Sequence, residues 1–111
     1  MNKYHDKSDF EINKAVADFL KKEGNLIDFT DSQETHVFVT DKYANNYPFD
    51  PCNNPADAMP IINEYGISLM YKEREFQVAT NDGNYYCCMS NPLKAAMVIF
   101  LMMKDAENEK V

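Results

Sequence analysis

Residues 95–103 form an uninterrupted apolar run near the end of the chain, and this run constrains the fold more than any other stretch. Asn91 can cap a helix that begins at Pro92, because the missing N–H of proline has no helical partner at the first position. A helix that is apolar on every side must be buried on more than one side, so other elements have to surround it. The run has about half of the roughly 20 residues that span a bilayer, which predicts a core helix and not a membrane span.

Composition and charge predict one domain without an electrostatic footprint for nucleic acid or membrane. The chain has 111 residues, of which 45% are hydrophobic, and this is enough for a single core. We predict one domain over 1–111, with an ordered core at about 8–104 and a polar tail, 105–111, that frays. The formal charge is −7, whereas phosphate backbones and anionic lipids attract Lys/Arg clusters. A charged partner is therefore expected to be basic, and mimicry of nucleic acid by spaced carboxylates is an alternative.

The cysteine and histidine pattern predicts neither a disulfide framework nor a metal site. Cys52, Cys87 and Cys88 are expected to be reduced, and the adjacent pair should point to opposite faces of a strand. No CxxC pair occurs, and His5 and His36 have no ligand spacing, so we predict no metal and no other cofactor. The N-terminus lacks the apolar segment of an export signal, which predicts a cytoplasmic protein.

Capping signals predict two helices before the apolar run. Ser8 and Glu11 form a capping box, followed by an amphipathic pattern that should end at Gly24. The apolar face of this helix consists of Ile12, Val16, Phe19 and Leu20.

A second helix is predicted from the cap Asn54 to the stop Gly66. Pro60 lies inside it and displaces the carbonyl of Ala56, which predicts a kink or a tight first turn.

The remaining regular segments predict an α+β domain. Residues 35–40 indicate a strand, 25–34 either a short strand or a tucked loop, and 67–71, 76–80 and 85–89 three antiparallel strands. Asp82-Gly83 marks a hairpin turn between the last two. The side chains expected to face inward are Ile67, Leu69, Tyr71, Phe76 and Val78. We predict a small antiparallel sheet of three to four strands layered with about three helices, in the order α-β-α-β-β-β-α.

Residues 41–53 are rich in aromatic side chains, Asn and Pro, and are predicted to be irregular. A segment this long is either functional or held by its own side chains. Its aromatic residues either dock into the core or form a contact surface. The candidate binding residues are Tyr43, Asn45, Asn46, Tyr47, Phe49, Asp50 and Asn53.

No catalytic constellation is recognisable in the sequence. It contains no Gly-rich phosphate loop, no HExxH helix and no Ser or Cys nucleophile with a plausible base. The carboxylate pairs lie in polar contexts that would not raise their pKa, and His36 is expected to be a surface strand residue. We therefore assign no catalytic residue, although a small enzyme of unknown reaction stays an alternative.

The element order from Asn54 to Lys104 is also that of double-stranded-RNA-binding domains. Those domains contact phosphates through a Lys-rich start of their last helix. Residues 90–94 contain only Lys94, so the binding chemistry is missing, and function must be argued from the site.

Three motifs resemble those of the NinX-like family of small tailed-phage and prophage proteins. They are Ser8-Asp9-Phe10-Glu11-Ile12-Asn13, then Asp50 with 52–58 and Pro60-Ile61-Ile62, and finally Asn91-Pro92-Leu93-Lys94-Ala95-Ala96 with the apolar run. The resemblance covers about 8–104 and implies a phage-encoded accessory protein of the bacterial cytoplasm, with no substrate or catalytic residue. The sequence thus predicts a non-enzymatic protein that binds an unknown host or phage protein, for example by occupying a basic surface. A nucleic-acid-binding module, a purely structural role and a homodimer are the alternatives.

Overall fold

The computed structural model describes residues 3–22, 27–30, 35–40 and 43–109, and these contain three helices and six strands. In chain order the elements are α1 (Asp9–Lys22), β1 (Ile27–Thr30), β2 (Val37–Thr40), β3 (Asn46–Phe49), α2 (Pro55–Tyr65), β4 (Ser68–Lys72), β5 (Glu75–Asn81), β6 (Tyr85–Cys87) and α3 (Pro92–Glu109). The α+β class and the predicted order of elements are confirmed. Strand β1 corresponds to the short-strand alternative for residues 25–34, and β3 is an additional strand on the other side of β2. Within these residues, no helix is long and apolar enough to cross a membrane.

The strands are divided between two antiparallel sheets, each of three strands in chain order. The first contains β1, β2 and β3, and the second contains β4, β5 and β6. Helix α2 separates the two groups along the chain, and within each group every strand pairs with its neighbour in sequence. The Asp82–Gly83 turn is confirmed, since both residues have the positive φ that a tight hairpin requires (50° and 78°).

Helix α3 occupies the centre of the molecule, as the apolar run predicts. Residues 95–101 are buried, and α1, α2, β5 and β6 all pack against the helix. The ring of Phe100 makes edge contacts with Phe19 of α1, at 6.3 Å between centroids, and with Tyr65 of α2, at 5.0 Å. The two other helices are therefore joined through one α3 side chain.

Helix α3 continues to Glu109, so the described part of the tail that is predicted to fray is helical in the structure. The Tyr4 hydroxyl donates to the Asp105 carboxylate at 2.5 Å, and Lys3 Nζ lies 3.3 Å from the same carboxylate. This long-range anchor stabilises the last turns of the helix. No local pattern in the sequence indicates it.

Both predicted caps are confirmed. The Ser8 hydroxyl accepts from the Glu11 N–H, and the Glu11 carboxylate accepts from the Ser8 N–H, each at 3.1 Å. Asn54 caps α2 by accepting from the Ala56 N–H at 3.0 Å. Gly66 ends that helix with a φ of 64°, where a residue without Cβ is unstrained. Gly24, the predicted end of α1, lies outside the described residues.

Pro60 does not divide α2, and two side chains of the second sheet that were predicted to face inward, Tyr71 and Val78, do not. Helix α2 runs through Pro60 to Tyr65 as one continuous helix. Tyr71, expected to face inward, is 56% exposed. Val78 pairs with the exposed Met70, whereas the buried Ala79 beside it pairs with Leu69, so Val78 does not face the core as predicted.

Residues 46–49 were expected to be irregular, but they form β3, the outer strand of the first sheet. Pro48 lies opposite Phe38 of β2. Proline is tolerated on an edge strand when its missing N–H faces away from the neighbouring strand. The strand therefore depends on its partner β2, which sequence patterns within 41–53 do not reveal.

Candidate functional site

The candidate binding residues of the segment 43–53 separate into an exposed group and a buried group. Tyr43 and Tyr47 are 73% and 49% exposed, whereas Phe49 is 7% exposed and belongs to the core. Asn45 is exposed, and so is Asn46, whose side-chain oxygen accepts from the Thr40 hydroxyl at 2.9 Å. The contact-surface alternative therefore applies to the two tyrosines, and the docking alternative applies to Phe49. We call Tyr43 and Tyr47 the hairpin tyrosines.

An open cavity of about 410 Å³ lies beside Tyr47, between the first sheet, α1 and α2. We call it the apolar groove. It is lined by Leu20, Val39, Thr40, Tyr47, Phe49, Ala56, Asp57, Pro60, Ile61 and Glu64. Tyr47 thus belongs both to the exposed hairpin and to the groove wall. Among the described lining residues, the charged ones are Asp57 and Glu64, both acidic.

A second set of side chains forms a hydrogen-bonded network where α1, the segment 50–54 and the start of α3 meet. We call it the polar junction. It consists of Asp9, Asn13, Asp50, Asn53, Asn91 and Lys94, together with the backbone of Cys52. The three motifs that resemble the phage family, which lie far apart in the sequence, contribute these residues.

Asn13 holds the segment 50–54 against α1. Its side-chain nitrogen donates to the Asp50 carboxylate at 2.8 Å, and its oxygen accepts from the Cys52 N–H at 3.1 Å. Asn13 is only 6% exposed. Its amide therefore satisfies a buried backbone donor that would otherwise have no partner.

Asn53 and Asn91 extend the network to α3. The Asn53 amide donates to the Asp9 carboxylate at 3.0 Å and to that of Asp50 at 3.2 Å. The Asn91 amide donates to the Cys52 carbonyl at 2.6 Å, while its oxygen caps α3 by accepting from the Leu93 and Lys94 N–H groups. One Asn thus caps the central helix and binds the segment that precedes α2.

Lys94 completes the junction by an ion pair with Asp9, at 2.9 Å. The hydrogen bond from Asn53, together with the contact from Lys94, holds the pKa of Asp9 below its usual range. The lysine at the start of α3 is therefore engaged within the protein. A phosphate-binding role for it, as in double-stranded-RNA-binding domains, would require this pair to open.

The junction is a structural connection and not a recognisable reactive centre. Its carboxylates accept from amide groups and lysine of the same chain, and across the described ranges no group of three or more His, Cys, Asp or Glu is arranged to hold a metal ion. A smaller cavity of about 220 Å³ beside the junction exposes Asp9, Asp50 and His36. The His36 ring lies at the surface, with Nδ1 2.9 Å from the Thr35 hydroxyl.

Sequence reasoning named Asp50 and Asn53 as binding residues, whereas their side chains belong to the polar junction, and it missed Asn13 and Asp9. A signal for Asn13 is present, since Val16, Ala17 and Leu20 follow it at i+3, i+4 and i+7. A polar residue on the buried stripe of an amphipathic helix requires a hydrogen-bonding partner. The partner itself could not be read from the sequence because it lies on a separate element.

The three cysteines are predicted to differ in reactivity toward thiol reagents. Burial raises the pKa of Cys52 to about 12 and that of Cys87 to about 11, whereas Cys88 is exposed. Because the thiolate is the reactive form, we expect iodoacetamide at about pH 8 to add one label per native chain, at Cys88, and three after unfolding. Intact-protein and peptide mass spectrometry measure this. A Cys88→Ser control should take no label when native, and rapid native labelling of Cys52 would contradict the expectation.

The comparisons with known proteins identify one family. The sequence profile of a family described as Bacteriophage P22, NinX matches residues 3–104. Neither the curated proteins nor the solved structures contain a match to the chain. The matched range includes all three motifs that meet in the polar junction.

Proposed function

The chain belongs to the NinX family of bacteriophage P22, and on this premise we propose that this phage accessory protein acts by binding another protein in the bacterial cytoplasm. The observation that carries the proposal is the exposure of the hairpin tyrosines, of which Tyr47 also lines the apolar groove. Tyrosine provides a large, rigid contact surface with a polar tip, and it is enriched at protein interfaces. Two such side chains on one hairpin supply the anchors that an interface requires.

The charge of the chain favours a basic partner surface. The net charge of −7 repels nucleic acid and anionic lipid, and it accelerates encounter with a basic protein. We therefore propose a host or phage protein with a basic surface as the partner, and occupation of that surface as the mode of action. We propose no catalytic role for the carboxylates of the polar junction. Asp9 and Asp50 already accept hydrogen bonds from amide groups of the same chain, and Asp9 also pairs with Lys94.

Affinity capture tests the proposal. The tagged chain is incubated with lysates of infected and uninfected host cells, with and without nuclease. We expect a Tyr43→Ala/Tyr47→Ala variant to recover at least about tenfold less partner protein, as hot-spot truncation at an interface does. A Tyr86→Ala variant is the matched control, because Tyr86 is 59% exposed on the second sheet.

The capture experiment has two results that would contradict the proposal. One is equal recovery by the hairpin variant and the wild-type chain, with thermal unfolding unchanged in both. The other is recovery of nucleic acid alone, in a manner that weakens steeply with salt, which would favour the nucleic-acid alternative.

A further inference from the structure

We infer that the apolar groove is the docking site for a partner segment that carries lysine or arginine beside large aliphatic side chains. This inference rests on the proposed function and names the class of partner. The volume of the groove, about 410 Å³, lies within the range of about 300–1,000 Å³ that is typical of ligand pockets. The groove can therefore accept whole side chains of a partner.

The lining of the groove provides the aliphatic part of the recognition. Leu20, Val39, Pro60 and Ile61 supply apolar surface from three different elements. Val39 is half-buried and Pro60 is exposed, so the surface is reached from solvent without unfolding. Covering it with aliphatic side chains would remove apolar area from water on both partners.

The carboxylates of the groove select for a cation. Glu64 is exposed on α2, and across the part of the chain that the structure describes its carboxylate has no ion-pair partner. Asp57 accepts from the Asp50 N–H at 2.9 Å with one oxygen. Among the residues that the structure describes, no basic one lines the groove. A lysine or arginine placed here would gain a pair with Glu64, whereas an acidic side chain would be repelled.

Docking through side chains is favoured over addition of a strand to β3. Pro48 has no N–H, so the outer edge of β3 lacks a donor in the middle of its four residues. An added strand would lose that hydrogen bond. The partner segment is therefore recognised by the groove lining and by Tyr47, and not by a backbone ladder.

Titration with two synthetic peptides tests the inference. The ¹⁵N-labelled full chain is mixed with a leucine-rich amphipathic peptide whose polar positions are lysine, and separately with the same peptide carrying glutamate. We expect amide shifts confined to the groove, at Val39, Thr40, Ile61 and Glu64, and at least tenfold weaker binding of the glutamate peptide. Absence of binding, equal binding of both peptides, or shifts centred elsewhere would overturn the inference.

Charge reversal at the groove supplies the matched control. Glu64→Lys should weaken binding of the lysine peptide at least tenfold. Asp6→Lys makes the same change of net charge on an exposed residue beyond the opposite end of α1, and it should change the affinity less than twofold. Equal effects of the two variants would show that only net charge matters, and the inference would be wrong.

The failure of this inference can be told apart from the failure of the proposed function. If the hairpin variant loses capture of the natural partner while Glu64→Lys retains it, the groove is not the docking site but the protein-binding function stands. If both variants retain capture, both proposals are wrong. Loss in both, with Asp6→Lys unaffected, supports both.

Discussion

Replacement of Phe100 by alanine is expected to lower the free energy of unfolding by about 3–5 kcal/mol, the range measured for truncation of buried aromatic residues. Phe100 is fully buried in the middle of α3, and its ring contacts Phe19 of α1 and Tyr65 of α2. Truncation would leave a cavity where three helices meet and would remove both edge contacts. The free energy of unfolding of a small domain is about 5–15 kcal/mol, so this one change removes a large fraction of it.

Urea unfolding followed by circular dichroism measures the effect, because the chain has no tryptophan to report on it. Phe100→Leu is the control, since it keeps most of the volume and should cost less than about 2 kcal/mol. If the alanine variant lost less than the leucine variant, the central role of this ring would be refuted.

The surroundings of Phe100 also explain a buried cation in α3. Lys104 is largely buried, and its Nζ lies 4.6 Å from the centre of the Tyr65 ring and 5.8 Å from that of Phe100. It also donates to the Glu107 carboxylate at 3.3 Å. A lysine amine over aromatic faces retains favourable electrostatics while its stem is packed. The core therefore extends beyond the apolar run and includes Lys104.

Local patterns predicted those parts of the fold that depend on neighbours in sequence. The capping box at Ser8, the caps at Asn54 and Gly66 and the central position of α3 all follow from residues within a few positions of one another. The last turns of α3 could not be predicted in this way, because the hydrogen bond that anchors them joins Tyr4 and Asp105, which lie 101 residues apart. Strand β3 depends in the same way on β2, which pairs with it in spite of Pro48.

Only one part of the candidate site could be predicted from the sequence, namely the aromatic side chains of the polar segment 41–53. Aromatic side chains in a polar segment indicated Tyr43 and Tyr47 as contact residues, and the structure places both at the surface. The apolar groove was not predictable, because its walls come from α1, the first sheet and α2. Asp50 and Asn53 were assigned to binding, yet their side chains are engaged in the polar junction.

The polar junction gives a physical meaning to the motifs that resemble the phage family. Motifs that begin at Ser8, Asp50 and Asn91 are separated along the chain, and their polar members meet through hydrogen bonds and one ion pair. Such a signature records how α1, α2 and α3 are joined, and it specifies no reaction. We therefore propose function at the exposed hairpin and the apolar groove, which adjoins the network where Asp57 accepts from the Asp50 N–H.

Replacement of Asn13 by alanine is the sharpest test of this junction, and it should lower the free energy of unfolding by about 3 kcal/mol. The change removes the acceptor of the buried Cys52 N–H and one donor to the Asp50 carboxylate. An unpaired buried donor costs about 1–3 kcal/mol, and a lost hydrogen bond to a charged group about 1.5–3 kcal/mol. Urea unfolding at neutral pH measures the loss. The control Lys14→Ala, on the next residue of α1, should cost less than about 1 kcal/mol because its pair with Asp18 is at the surface.

An Asn13→Asp variant separates the hydrogen bonds from the shape of the side chain. The new carboxylate can still accept from the Cys52 N–H, but it would lie beside Asp50, where the Asn13 nitrogen is now 2.8 Å from a carboxylate oxygen. Like charge and burial would raise the folded-state pKa of the carboxyl introduced at position 13 above its unfolded value. The native state then binds more protons than the unfolded state, so the penalty is full at neutral pH and is relieved as the pH falls through the raised pKa. Recovery of stability relative to wild type at about pH 4–5 is expected for Asn13→Asp and not for Asn13→Ala. If both variants matched the wild type at neutral pH, water would be satisfying the Cys52 N–H, and the junction could not be what holds the segment 50–54 against α1.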